Sequence, residues 1–256
     1  MEKMLLDKVA IVTGAGSGNG KQTALLFAKE GAKVVCADLN LEAATTVAEE
    51  IKRGGGDAVA CLCDVTKEED AKKCVDFTLE TFKKLEILVN NAGIGLWGTV
   101  ESMPMAQYDL LMNVNVKGVF LMSRYAVPAM RKGSGDRSII NIGSGAAVIG
   151  CGASVAYCAS KGAVANMTRA MAIDCGPDGI RVNCVCPGIV DTPFNQKILD
   201  AAPDPVAARK GQENAAIMGR LEQPEEVAKA VLFMASDLAC FCTGSVLMAD
   251  GGITAQ

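Results

Sequence analysis

Histidine is absent from all 256 residues. That excludes triads built on Ser-His-Asp and, with no Cys-x-x-Cys pair or carboxylate–histidine cluster present, leaves no pattern that would hold zinc or iron. An excess of positive charge is missing too: the formal net charge is -4 and the pI about 5.1. Lysines and arginines are scattered, so neither nucleic acid nor an anionic membrane surface is an expected partner. No uncharged apolar stretch of about eighteen residues occurs, as a membrane-spanning helix would need. In the N-terminal MEKMLLDKVAIV the apolar runs are broken by Asp7 and Lys8, unlike the core of a secretory signal. A cytoplasmic protein is the expectation. Linkers, repeats and low-complexity segments are lacking as well, which points to a single domain over residues 1–256.

Cysteine breaks this pattern of scarcity, with eleven residues. Three pairs (Cys61 and Cys63, Cys184 and Cys186, Cys240 and Cys242) have C-x-C spacing, which in a strand sets both side chains on one face but too far apart for an easy bridge. A chain that is 50% hydrophobic has core enough without disulfides. The cysteines therefore read as reduced, small core hydrophobes.

The apolar residues fall in an alternating order. VAIVT at 9–13 is a continuous run ended by glycine, the mark of a strand buried on both faces. After GAGSGNG comes a helical pattern with Ala24, Phe27, Ala28 and Gly31 on one face. Strands at 33–39 and 58–65 alternate with helices carrying Ala43, Val47 and Ile51, then Ala71, Cys74, Val75, Thr78, Leu79 and Phe82. Further strands are expected at EILVNNAG, SIINI, IRVNCVC and SVLMADGG. Residues 106–131 read as one helix, apolar nearly all round, and a second long helix runs from Tyr157 to about Cys175. Pro224, Glu225 and Glu226 open a helix with proline and acidic residues in its first turn. Strict alternation implies a doubly wound α/β fold of the Rossmann type, a seven-stranded parallel sheet with helices on both faces. The polar, proline-containing stretch 191–220 interrupts the rhythm and reads as a mobile substrate lid.

Ligands of such sheets bind beyond the carboxyl ends of the strands. Gly14, Gly18 and Gly20 follow the first strand with spacing G-x-x-x-G-x-G. This departs from G-x-G-x-x-G but meets the same demand, a tight turn that brings backbone N–H groups to a pyrophosphate at a helix N-terminus. Asp38, at the end of the second strand, can accept both ribose hydroxyls of NAD and would repel the 2′-phosphate of NADP. No basic residue at 15–17 or at Leu39 offsets that repulsion, so NAD is the expected cofactor. Farther on, Ser144 precedes Tyr157 by thirteen residues, and Lys161 follows Tyr157 one helical turn later. An ammonium beside a phenol favours phenolate, so an ordinary pKa of about 10 should fall. That prepares Tyr157 for proton transfer.

In order and spacing, TGAGSGNG (13–20), Asp64-Val65, NNAG (90–93), NVNVKG (113–118), Ser144, YCASK (157–161) and PGIVDT (187–192) resemble the short-chain dehydrogenase/reductase family over essentially the whole chain. The C-terminal third further resembles the branch that contains dihydroanticapsin dehydrogenase and cyclic-diol dehydrogenases. The resemblance implies that Tyr157 is the general acid/base, that Lys161 assists it and holds the nicotinamide ribose, and that Ser144 binds the substrate oxygen. It implies that Asn115 binds a water linking Lys161 to solvent. Asp64 and Val65 would meet the adenine, Asn91 the ribose, and Val190 with Thr192 the nicotinamide amide. Ser17, Asn19, Leu39, Ala92 and Pro187, in the same motifs, complete the expected cofactor set. Asn19 stands where an aliphatic residue is usual, placing a polar amide beside the pyrophosphate or nicotinamide ribose. Gly143 stands where a second serine is common.

The expected function is NAD-dependent interconversion of a secondary alcohol and its ketone. A 3-oxoacyl reductase is a second reading, disfavoured by Asp38; a non-catalytic NAD-binding sensor or scaffold is a third. Leu96, Trp97, Ala146, Cys151, Ile189 and Phe194 are the expected substrate wall, which suits a cyclic or moderately hydrophobic alcohol. The two long apolar helices suggest a homo-oligomer, by family resemblance a tetramer.

Overall fold

The structure, a computed structural model, describes residues 3–256. Its strands are β1 (Val9–Thr13), β2 (Lys33–Asp38), β3 (Asp57–Leu62), β4 (Ile87–Asn90), β5 (Arg137–Ile142), β6 (Ile180–Pro187) and β7 (Val246–Ala249). They pair in parallel throughout, in the order β3-β2-β1-β4-β5-β6-β7. Each parallel return crosses over through helices: α1 (Gly18–Lys29), α2 (Leu41–Arg53), α3 (Glu68–Phe82), α4 (Met105–Met112), α5 (Gly118–Arg131), α6 (Val155–Cys175), α7 (Pro193–Asp200), α8 (Pro205–Ala215) and α9 (Pro224–Ala235).

Both faces of the sheet are covered, which is why β1 is apolar from Val9 to Val12. Ala10 and Val12 pack with Phe27 of α1, Val47 of α2 and Val231 of α9. Ile11, between them, points the other way, to Cys74 of α3, Met122 of α5 and Ala172 of α6. Each large side chain buried in this way contributes roughly 1.5–3 kcal/mol. A buried polar chain crosses the second interface. Asn90 of β4 donates to Ser123 of α5 and to Asn141 of β5, which donates to Thr168 of α6. It ties α5 and α6, the second of which carries Tyr157 and Lys161, to the sheet.

Three expectations need correction. Residues 106–131 are not one regular helix: a π-helical turn, Asn113–Lys117, separates α4 from α5, and Asn115 is buried within it. One extra residue per turn is a local feature that hydrophobic periodicity does not reveal. Residues 191–220 are more regular than their composition suggests. Thr192 and Asp204 cap α7 and α8, each followed at once by proline, and an Asn195–Gln212 amide pair (2.8 and 3.0 Å) joins the two helices. An Arg209–Asp191 ion pair at 2.8 Å anchors α8. Finally, all eleven cysteines are free thiols, but Cys151 and Cys240 are exposed and so are not core residues.

Candidate active site

From β1 the chain winds outward to β2 and β3, then returns to β4 on β1's other side. The crossovers diverge there and leave a crevice at the carboxyl ends of the strands. The turn after β1 is shaped for it. Gly14 and Gly18 have φ of +64° and +51°, conformations that favour glycine. Gly20 serves packing instead: a Cβ there would run into the Gly14 carbonyl oxygen, so glycine lets α1 approach the turn closely. Ser17 precedes α1 without a side-chain cap, and the first turn of α1 has no acidic residue. By contrast Asn40 caps α2, and α3 opens with Glu68, Glu69 and Asp70. The positive end of α1 is thus left for an outside anion. Beside it, the buried Oδ1 of Asn19 has no hydrogen-bond partner in the protein.

The carboxylate of Asp38 accepts from Gly16 N and Asn40 N, both at 2.8 Å. It braces the glycine turn from β2, and its remaining lone pairs can meet a ribose. Asn91 gives its amide hydrogens to Thr13 O and Gly14 O (2.8 and 3.2 Å), which leaves Oδ1 for a ligand. Thr13 Oγ1 in turn accepts from Asn91 N and Ala92 N, both at 3.0 Å. Thr13 is therefore a latch between β1 and β4, a role that nothing about an isolated threonine signals. Asp64 is bonded to the Thr66 hydroxyl and amide. Val65 packs under Gly118, where an added Cβ would lie 2.8 Å from Val65 Cγ2.

At the other end, Lys161 is almost wholly buried and donates to Ile142 O at 2.9 Å. Its Nζ lies 5.7 Å from the centroid of the Tyr157 ring, one helical turn earlier on α6. Ser144 Oγ accepts from Ala146 N at 3.2 Å, which leaves its own proton free to donate into the cavity. Asn115 Oδ1 accepts from Ile94 N (2.8 Å), while its amide donates to Ile94 O (2.9 Å) and Ser160 Oγ (3.1 Å). A Cβ on Gly93 would fall 3.3 Å from Asn115 Oδ1 and 3.6 Å from Lys161 Nζ, so glycine keeps the gap between them open. The glycine at 143 also has a steric reason: a Cβ would be 2.5 Å from Cys186 Sγ and 2.7 Å from Cys184 Sγ. Those two sulfurs, 3.7 Å apart, fill the space behind it.

One cavity of about 750 Å³ joins the two ends. Its wall includes Gly14, Ser17, Gly18, Asn19, Asp38, Leu39, Asp64, Val65, Asn91 and Ala92 at one end, and Ser144, Tyr157, Lys161, Pro187, Val190 and Thr192 at the other. Of the expected catalytic and cofactor residues, Gly20 and Asn115 are set back from it. Trp97, Ala146, Cys151, Ile189 and Phe194 line it as expected, but Leu96 does not. Trp97 meets the Tyr157 ring edge-on, with centroids 5.3 Å apart. Gly95 admits the aromatic contact: a Cβ there would be 2.7 Å from Phe194 Cζ. Ile94, Ile149, Ile198, Ala215 and Ile253 complete an apolar wall, with Gln212 as a polar member. In sequence these residues look like ordinary packing positions.

The residues present fit a dinucleotide. An open helix N-terminus, an orphan buried acceptor, a carboxylate at the ribose position and a glycine cradle with no room for a Cβ lie along one continuous cavity. Its far end holds a phenol, an ammonium and a serine hydroxyl suited to moving a proton.

Known proteins resemble this chain over nearly its whole length. The family model described as Enoyl-(Acyl carrier protein) reductase matches residues 14–254. A cyclopentanol dehydrogenase of Comamonas sp. (strain NCIMB 9872) is 42% identical over 250 residues, 98% of each chain. A cyclohexanol dehydrogenase of Acinetobacter sp. (strain SE19) is 40% identical over 261 residues, covering all of both chains. Among solved structures, a short-chain type dehydrogenase/reductase from Mycobacterium marinum superposes with a TM-score of 0.92 at 34% identity, over 100% of this chain and 98% of that one.

Proposed function

The chain belongs to the short-chain dehydrogenase/reductase family, whose members are oxidoreductases, and on that premise we propose that it interconverts a cyclic or moderately hydrophobic secondary alcohol and its ketone with NAD. The observation that carries this reading is the single cavity with Asp38 at one end and Tyr157, Lys161 and Ser144 at the other. The glycine turn, Asp38 and Asn91 would hold the dinucleotide, whose nicotinamide would supply the hydride exchange at the carbinol carbon. The protein does the rest. Ser144 donates its free hydroxyl proton to the substrate oxygen and holds it in place. Tyr157 Oη takes the alcohol proton during oxidation and returns it during reduction, and Ile142 O fixes the Lys161 ammonium beside the ring. The open gap at Gly93, flanked by Asn115 Oδ1 and Lys161 Nζ, has the polar partners a relaying water needs.

The wall of Trp97, Ile149, Phe194 and Ile198 presents apolar surface to a ring, and the cyclopentanol and cyclohexanol dehydrogenases among the relatives support that choice. A 3-oxoacyl-(acyl-carrier-protein) reductase of Thermotoga maritima, 37% identical over 246 residues, raises the second reading; Asp38, with Leu39 exposed beside it, argues against the 2′-phosphate of NADP.

The test is reduction of NAD and NADP, followed by absorbance, with matched panels of cyclic and open-chain secondary alcohols. Turnover of ring alcohols with higher kcat/KM for NAD is expected. A preference for NADP would overturn the reading of Asp38, and no turnover of any secondary alcohol would overturn the dehydrogenase.

A further inference from the structure

Glu222 lies behind the 187–192 loop, just ahead of α9, and has no part in the chemistry above. Three hydrogen bonds join it to that loop: its Oε2 accepts from Gly188 N at 2.9 Å, its N donates to Ile189 O at 2.9 Å, and its O accepts from Asp191 N at 2.8 Å. The main-chain pair, a parallel bridge centred on Val190, would survive any side chain at this position. The bond to Gly188 depends on the side-chain oxygen. Gly188 is pressed from its other side as well, since a Cβ there would lie 2.8 Å from Asp250 O. The loop is clamped between the two.

Pro187, Gly188, Ile189 and Val190 are cavity wall. They end and follow β6, whose neighbour β5 leads into Ser144, whereas Asp38 ends β2 on the far side of the sheet. This is consequently the end at which a redox ring must lie to meet Tyr157. The charges around Glu222 are unbalanced. Burial pushes its carboxyl up to about 7; Glu226 and Asp250 add to the effect, while Gly188 N–H and Arg220 oppose it. Arg220 is already committed to both oxygens of Glu226 at 2.7 Å. Arg209 is committed to Asp191, and Asp250 to Gly252 and Thr254. Among the described residues no cation pairs with Glu222.

We propose that Glu222 is a positioning residue for the loop that borders the nicotinamide, and that its negative charge favours the oxidised, cationic ring over the reduced, neutral one. The inference rests on the dehydrogenase reading above. The physical step is simple: the two cofactor states share every other group, so a carboxylate behind the loop distinguishes them only through the ring's unit positive charge. Coupling is reciprocal, so loss of that charge on reduction strengthens proton binding at Glu222.

The test is separate titration of NAD and NADH into the protein by calorimetry from about pH 5.5 to about 8.5, taking the ratio Kd(NADH)/Kd(NAD) at each pH. In the unaltered protein the ratio should rise about three- to tenfold as pH passes through neutrality, the scale of one unit charge acting on another across a partly solvated site. In Glu222→Gln that rise should disappear, and in Glu222→Asp it should persist. Other groups that titrate in the cavity are common to all three proteins. If Glu222→Gln weakens both cofactors equally and leaves the rise intact, the residue is only structural and the charge coupling is wrong. Should that variant not fold, a ratio that stays flat with pH in the unaltered protein overturns the inference by itself. Failure of either dinucleotide to bind would instead overturn the underlying dehydrogenase reading.

Discussion

The two ends of the cavity are built by different means. At the Asp38 end the shape is made by main chain: Gly14, Gly18 and Gly20 set the turn, and Asp38 and Asn91 spend much of their hydrogen-bonding capacity holding it. At the Tyr157 end the shape is made by side-chain volume, from Trp97 and Phe194 to Ile149, Ile198 and Ile253, contributed by loops and helices far apart in the chain. The first construction tolerates almost no added atom but is indifferent to the substrate. The second tolerates exchange of one apolar group for another and decides what fits.

Changes at each end should accordingly fail in different ways. Tyr157→Phe removes the proton donor and acceptor while keeping the ring against Trp97, so kcat should fall by about 10²- to 10⁴-fold. NADH affinity, read by fluorescence titration, should change little; substantial residual turnover would mean that another group moves the proton. Gly20→Ala forces a Cβ against the Gly14 carbonyl, and the overpacking should cost roughly 1–3 kcal/mol in denaturant unfolding. It should weaken NAD and NADH together, and unaltered binding would show that the turn is looser than the glycine contacts imply. Phe194→Ala, on a side chain already 47% exposed, should raise KM for ring alcohols by about three- to tenfold, the size of one partly buried apolar group. Cofactor affinity should stay the same, and an equal effect on NAD would erase the division between the two ends.

The smallest effect concerns stability. With its carboxyl pushed up to about 7 by burial, Glu222 binds its proton more tightly folded than unfolded. The stabilisation this brings is complete below the ordinary carboxylate range and is lost as pH rises through 7. Glu222→Gln cannot ionise and can still accept from Gly188 N. Its Tm relative to the unaltered protein should therefore move upward between about pH 5 and about pH 8.5, by the equivalent of about 1 kcal/mol after solvent screening. A Tm difference independent of pH would show that the carboxylate is not held in an unfavourable site.

Much of this molecule is determined by the sequence alone, because the forces involved are local. Strands buried on both faces must be apolar throughout, helices must repeat at their own period, and a turn that brings backbone to an anion must be rich in glycine. Alternation of those patterns yields the parallel sheet and its switch point, and the one-turn separation of Tyr157 and Lys161 is a property of any helix. Only the tertiary structure decided the rest. The π turn at Asn115 arises within a stretch whose local pattern reads as ordinary helix, with its amide bonded to Ile94. Thr13 becomes a latch because β4 lies beside β1, and Gly143 is required because Cys184 and Cys186 stand behind it. The proline-containing stretch after β6 closes into two capped helices whose amides pair. The substrate wall and the surroundings of Glu222 are defined by what distant segments leave between them, and no local pattern encodes an empty space.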